Sequence, residues 1–438
     1  MCAYKPKLSQ CMIVKNEEEN IERALSWGRK LMWEQIVVDT GSTDRTVELA
    51  QAMGAKVLHF DWIDDFSAAK NYAIGQASGD WIFFLDADEY MEPESVKKLP
   101  NILKNVHRLG YDIISTPWLQ LGNTWEVEVA ATQCRIFKNM PKIRYEMPIH
   151  EYLSYGGGDI AEHMIYVEEL PICHTGYFPE VMEKKRKSER NIRLLLKELE
   201  KNPQNPDLMG YLGDAYKSLH KKDGNTEAEE WYRKALPLII KSGRKYQRDV
   251  YTVLMLMVEI YQRGKEKEGE LMELYRTATA CFPEVYDFDY LAGRFYTAAE
   301  NYEKGAFYLE RAFAGMEKYG TDTYNPLMPA DISETLKALA VCYYQIHDLK
   351  NCVNTSVTLL KTDKTQIKAV ELLIRCFKNE SSEAVVEFFQ KLYDLNDITD
   401  RVLLLRGAIR SEEKGNGVMK LLRQYCSQEE LEMLDQSR

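Results

Sequence analysis

The stretch Asp80-Trp81-Ile82-Phe83-Phe84-Leu85-Asp86-Ala87-Asp88-Glu89 constrains the fold of this chain most. A run of large apolar residues ends abruptly in two acids spaced i, i+2. Such a run, bounded by polar residues, predicts a buried strand of a parallel sheet. The acids then fall just past the carboxyl end of the strand, where ligands bind in open α/β sheets. A hard divalent cation prefers carboxylate oxygens, and Mg²⁺ commonly takes one or two carboxylates together with phosphate oxygens. The stretch therefore predicts a place for a metal and a diphosphate, with an ordinary solvated turn as the alternative.

The flanking sequence supplies the rest of an α/β pattern. Leu8 to Val14 reads as a strand that runs into the polar loop Lys15–Asn20, after which Ile21, Ala24 and Leu25 recur at helical spacing. The β-branched run Ile36-Val37-Val38 is a second strand with Asp39 at its end. Gly41 permits a tight turn there, and Ser42, Thr43 and Asp44 can cap a helix starting near Arg45. Lys56–Phe60 is a third strand, Phe66–Asn71 opens another helix, and the Asp80–Leu85 run is the fourth strand. This alternation has the spacing of βαβ units and predicts a parallel, nucleotide-binding-like sheet.

Asp39-Thr40-Gly41-Ser42-Thr43-Asp44 together with Asp86-Ala87-Asp88 resembles the motif set of the family 2 glycosyltransferases of the GT-A fold. The opening Met12-Ile13-Val14-Lys15-Asn16-Glu17-Glu18 and the Ala69-Lys70-Asn71 position resemble that family as well. The resemblance covers roughly residues 7 to 180. It implies that Val14, Asn16, Glu17 and Asp39 contact the uracil and ribose of a UDP-sugar and that Lys70 lies near the nucleotide. By the same resemblance Asp86 and Ala87 meet the ribose or sugar, and Asp88 ligates Mn²⁺ or Mg²⁺. The residue chemistry agrees: Asp39 offers acceptors to ribose or uracil donors, and Lys70 brings positive charge near phosphate.

From Ile113 onward the pattern turns to short strands, over Asp112–Pro117, Gln133–Phe137 and Lys142–Tyr145. An inverting transfer needs a base on the acceptor side and an electrophilic clamp on the leaving diphosphate. Glu151 is the first choice for that base and His150 the second. Gly156-Gly157-Gly158 is a mobile flap or a hairpin tip. In the GT-A enzymes that the chain resembles a late histidine often joins the acidic motif at the metal or the diphosphate, and His174 fits that role, with a plain buried histidine as the alternative. Glu183 to Asn191 is a basic, helix-forming stretch that carries the chain out of the catalytic domain, better suited to a solvated face than to a phosphate contact.

After about residue 200 helical patterns dominate. Leu212-Gly213-Asp214-Ala215-Tyr216, then Ala228, Tyr232 and Lys234-Ala235-Leu236-Pro237, resemble a tetratricopeptide repeat. Leu291–Phe295, Leu339–Tyr343 and Leu373–Phe377 repeat the first-helix pattern, with 34 residues from Tyr343 to Phe377 and from Met257 to Leu291. About five degenerate helix pairs ending near residue 425 are expected, each covering the apolar face of its neighbour. The expected domains are a catalytic domain over 1–180, a linker helix over 181–205 and helical repeats over 206–438.

The net charge of -11 argues against a nucleic-acid or anionic-membrane partner, and no apolar run reaches the length of a membrane span. Nine dispersed cysteines without a Cys-x-x-Cys pair read as reduced thiols of a cytoplasmic protein. The whole layout resembles the bacteriocin peptide glycosyltransferases of the sublancin type. That resemblance implies transfer of a hexose, with UDP-glucose favoured, to a Cys or Ser side chain of a peptide or protein. Helical repeats of this kind bind peptides or make dimers, so a homodimer through the repeats is a further expectation. The alternatives are a family 2 transferase acting on a glycan, and a scaffold in which a degenerate transferase domain serves only the repeats.

Overall fold

A computed structural model describes residues 4–122, 124–175, 187–220, 226–321, 327–428 and 430–431. The chain forms two compact units, Met1–Asn202 and Pro203–Arg438.

The described residues of the first unit build a nine-stranded sheet in the order β3-β2-β1-β4-β7-β6-β11-β5, with β10 added beside β6. Strands β1 (Leu8–Val14), β2 (Glu34–Asp39), β3 (Lys56–His59) and β4 (Trp81–Phe84) are mutually parallel, as βαβ spacing requires. Helices α1 (Ile21–Ser26), α2 (Thr46–Ala52) and α3 (Phe66–Gly75) connect them. Every residue of β4 is buried, which explains why its sequence shows no alternation. The sheet is mixed rather than parallel throughout. Strand β7 (Val127–Lys138) runs antiparallel to both β4 and β6 (Ile113–Leu121). The first two short strands expected from residue 112 are thus the inner ends of one long hairpin, whose exposed outer half, with Val127 and Val129, carries no clear hydrophobic pattern.

Past β4 the chain turns at Asp86–Asp88 into β5 (Glu89–Met91) and then α4 (Pro93–Leu109). Strands β8 (Ile143–Glu146) and β9 (Tyr152–Tyr155) form a separate two-stranded ribbon. Gly156 and Gly157, with φ of 64° and 82°, make the tight turn after it, closed by Tyr155 N–H donating to the Gly158 carbonyl. Strands β10 (Met164–Tyr166) and β11 (Ile172–His174) return to the main sheet. The helix Lys187–Lys201 closes the unit, where Arg193 makes a bidentate pair with Asp64 (2.7 and 2.9 Å). Residues 183–186 of the basic stretch lie outside the described residues.

The second unit contains twelve described α-helices, from Pro206–His220 to Glu412–Leu422, which follow one another as six pairs. The sixth pair, Ile398–Ile409 with Glu412–Leu422, goes beyond the five expected from the sequence. Its aromatic position, 34 residues after Phe377, is occupied by buried Ser411, whose hydroxyl donates to the Gly407 carbonyl (2.7 Å). Gly213 shows why the repeat needs a small residue: a methyl group there would intrude on the Tyr232 ring of the paired helix. Tyr232 in turn donates to Asp214 (2.8 Å). No helix among the described residues is long and apolar enough to cross a membrane.

Candidate active site

Two loops at the carboxyl ends of β1 and β2 are stitched together. Asn16 adopts a left-handed backbone (φ 56°); its N–H donates to Ser42 Oγ (2.9 Å), and its Oδ1 accepts from Thr43 N–H (2.8 Å). Glu17 N–H donates to Thr46 Oγ1 (2.7 Å). Asp39, 6 % exposed, accepts from the N–H groups of Gly41 (3.1 Å) and Ser42 (3.0 Å). The expected cap of α2 comes from Asp44, which accepts from Thr46 N–H (3.0 Å). Val14, at the end of β1, is in register with Asp39, and its carbonyl accepts from Thr40 N–H (2.9 Å).

Lys70 lies in the first turns of α3 and is only 3 % exposed. Its Nζ stands 2.6 Å from Glu151 Oε1 and 3.8 Å from Asp86 Oδ1, over the faces of Phe84 and Tyr145. Burial opposes the lysine charge, but Asp86 and Glu151 outweigh it and raise the ammonium pKa above its usual value. Glu151 reaches this point because α3 is bonded to the chain before it. Asn71 exchanges two hydrogen bonds with the Tyr145 backbone (2.8 and 2.9 Å), Ser67 Oγ donates to the Met147 carbonyl (2.5 Å), and Phe66 N–H to that of Pro148 (2.8 Å). His150, also left-handed (φ 54°), is exposed, whereas the Glu151 side chain is mostly buried.

On the other side of Asp86 stands Arg135 of β7, which the sequence reading did not single out. Its Nη2 donates to Asp86 Oδ2 (2.9 Å) and to Glu89 Oε1 (2.6 Å). Burial would raise the Asp86 carboxyl, yet Lys70 and Arg135 together hold it well below the usual range. Glu89 goes the other way: its burial outweighs Arg135 and pushes it up. Burial likewise lifts the Tyr145 phenol to about 12. Ala87, between the two acids, is buried.

Strand β11 lies between β6 and β5, so that His174 is in register with Glu89 and Gln120. The ladder ends with Thr175 N–H donating to the Asp88 carbonyl (3.0 Å), while Arg23 donates to Thr175 Oγ1 (2.7 Å). His174 Nε2 thereby stands 3.5 Å from Asp88 Oδ2, both side chains being buried. No three His, Cys, Asp or Glu side chains form a preformed metal site among the described residues. Asp88 and His174 form a two-donor pair, one oxygen and one nitrogen. The structure thus brings Lys70, Asp86 and Glu151 into one cluster, with Asp88 and His174 paired beside it. Asp39 and the first loop form a separate cradle, and His150 stays outside. Signals for Arg135 and Glu89 in the sequence are weak, because a lone Arg in a strand and a third acid after a pair read as solvated.

Residues 9–128 match the model of the family described as Glycosyl transferase family 2. A TPR repeat-containing protein of Synechococcus elongatus is 31% identical over 275 residues, 61% of this chain and 65% of that protein. The SPbeta prophage-derived glycosyltransferase SunS of Bacillus subtilis is 26% identical over 295 residues, 65% of each chain. The chain thus matches just under two thirds of the length of these relatives. Among solved structures, glucosyl-3-phosphoglycerate synthase from Mycobacterium tuberculosis in complex with Mn²⁺, UDP and glucosyl-3-phosphoglycerate is 26% identical, covering 26% of this chain and 44% of that one with a TM-score of 0.23. The family 2 match takes in strands β1 to β6 and the acidic turn, so residues 9–128 belong to a family 2 glycosyltransferase domain of GT-A-like fold, and the described residues of the second unit, whose secondary structure is all helical, fit tetratricopeptide-like repeats.

Proposed function

We propose that this protein is an inverting, metal-dependent hexosyltransferase. It moves the sugar of a UDP-sugar, UDP-glucose favoured, to a Cys or Ser side chain of a peptide or protein. The observation that carries this reading is the convergence of Lys70, Asp86, Asp88, Glu151 and His174 past the carboxyl end of β4. That is the edge of an open α/β sheet where ligands bind. The resemblance of the whole layout to the peptide glycosyltransferases of the sublancin type supports a polypeptide acceptor presented by the helical repeats.

In this reading Asp39 accepts from the uracil or ribose, its carboxylate already oriented by two backbone N–H groups. The first loop, from Val14 through Asn16 and Glu17, walls the nucleotide. Asp86 and Ala87 border the ribose or sugar. Asp88 and His174 would hold Mn²⁺ or Mg²⁺, with diphosphate oxygens and water completing the shell. The donor set fits such an ion: Asp88 offers a carboxylate oxygen and His174 an imidazole nitrogen, buried and 3.5 Å apart, with the Asp86 carboxylate in the same turn. A divalent cation there would act as a Lewis acid on the leaving diphosphate. Lys70 adds positive charge between Asp86 and Glu151. Glu151, with Oε1 on Lys70, uses Oε2 to take the acceptor proton, opposite the leaving group, so an α-linked donor gives a β-linked product.

Mass spectrometry of a Cys- and Ser-containing peptide incubated with a panel of UDP-sugars and Mn²⁺ tests the reading. The expected product gains one hexose. Asp88→Ala should abolish transfer and weaken UDP binding in Mn²⁺ while the fold survives. Full activity in chelator would refute the metal assignment, and UDP release without peptide modification would refute the acceptor.

A further inference from the structure

We infer that Glu89 is a positioning residue of this site, the buried group that fixes where Asp86, Asp88 and His174 stand. The inference rests on the proposed function and concerns a residue that no part of the transfer itself uses. Glu89 is 1 % exposed, yet both of its carboxylate oxygens are engaged. Oε2 accepts from the backbone N–H of Asp86 (2.9 Å), and the Glu89 N–H donates back to the Asp86 carbonyl (3.1 Å). The acidic turn is thereby closed reciprocally, much as a capping box closes the start of a helix. Oε1 accepts from Arg135 Nη2 on β7 (2.6 Å) and from the Trp118 indole N–H on β6 (2.8 Å).

Each of these partners reaches a different site group. Arg135 donates from the same Nη2 to Asp86 Oδ2, so Glu89 and Asp86 share one guanidinium nitrogen. The Trp118 ring lies against the His174 imidazole, with centroids 4.6 Å apart and planes inclined by 39°. The backbone of Glu89 pairs with His174 in the β5–β11 ladder. One carboxylate therefore ties the turn that carries Asp86 and Asp88 to the two strands that carry Arg135 and the wall of His174. A buried acid needed only to neutralise Arg135 would not also have to hold the Asp86 N–H and the Trp118 N–H. Residues that orient metal ligands from behind in this way typically change metal affinity or activity by about 10–100-fold when altered.

Calorimetric titration of the full chain with UDP, in Mn²⁺ and in chelator, separates positioning from stability, and electron paramagnetic resonance of free Mn²⁺ gives a second readout. Glu89→Gln, close to the same size, should weaken Mn²⁺-dependent UDP binding about 10–100-fold. Metal-free UDP binding, which depends on Asp39 and the first loop, should stay within about twofold. Trp118→Phe keeps a ring against His174 but removes the N–H donor, and should shift the Mn²⁺-dependent binding in the same direction by less; it decides the matter if Glu89→Gln does not fold. Wild-type behaviour in both variants, or equal losses with and without metal, would overturn the positioning role. Wild-type protein whose UDP binding ignores Mn²⁺ would overturn the proposed function itself, and this inference with it.

Discussion

Lys70→Met should destabilise the first unit, and the site geometry says by how much. At an effective dielectric of about 20, unit charges at the Lys70–Glu151 separation attract by about 6 kcal/mol and those at the Lys70–Asp86 separation by about 4 kcal/mol. Desolvation of buried Lys70 and of the partly buried Asp86 and Glu151 consumes most of that gain, so the intact cluster contributes little net stability. Removal of the lysine alone is another matter. Asp86 keeps Arg135, but Glu151 loses its Lys70 partner inside a mostly buried setting. Breaking a buried pair from one side costs about 3–5 kcal/mol. For a unit of this size each kcal/mol lowers Tm by about 2–4 °C, giving a fall of roughly 6–20 °C at pH 7.

The pH dependence carries a sign. The folded pKa of Lys70 is raised, so its contribution is complete below the unfolded value of about 10.4 and is lost as pH rises through the folded value. That of Asp86 is lowered, so its contribution is complete above about 3.9 and is lost as pH falls through the folded value. Between pH 7 and 5 neither window is crossed, so Lys70 and Asp86 contribute unchanged over that range. Tryptophan fluorescence suits the measurement, since six of the seven tryptophans lie before residue 126. The double variant Lys70→Met/Glu151→Gln should recover most of the loss. A single variant melting within about 2 °C of wild type, or a double variant no better than the single, would refute the reasoning.

Three further outcomes are expected. Glu151→Gln should damage transfer to serine much more than to cysteine on one peptide. Base help for a hydroxyl is worth about a hundredfold to ten-thousandfold, while a thiol of pKa about 8.5 supplies its own thiolate as pH rises; equal losses without pH rescue would make Glu151 a positioning residue and leave His150 as the next candidate. Gly213→Ala should destabilise the helical unit by about 1–3 kcal/mol through overlap with the Tyr232 ring, read by urea denaturation followed by far-UV circular dichroism. The chain ending at Asn202 should still bind UDP but modify its peptide poorly; normal modification would remove the presenting role from the repeats.

Much of this protein is written locally. The apolar run of β4 ending in Asp86 and Asp88, the Asp39–Gly41 turn and the βαβ spacing are properties of short segments, because burial on both faces and tight turns leave their mark on consecutive residues. The 34-residue recurrence of the second unit is legible for the same reason: each helix pair must meet an identical neighbour, so the packing rule repeats in the chain. Where the rule is met by different chemistry, as with Ser411 in place of an aromatic, the repeat escapes notice. The convergence of the site is not local. His174 comes to Asp88 only because β11 enters the sheet between β6 and β5. Arg135 becomes the second cation on Asp86 only because β7 runs antiparallel beside β4. Lys70 could equally have been a solvated helix residue; the chain around Tyr145–Pro148, hydrogen-bonded to α3, buries it against Glu151. Local sequence can announce residues able to carry charge, but which charges share one low-dielectric space depends on strand order, and strand order is settled by the packing of the whole sheet.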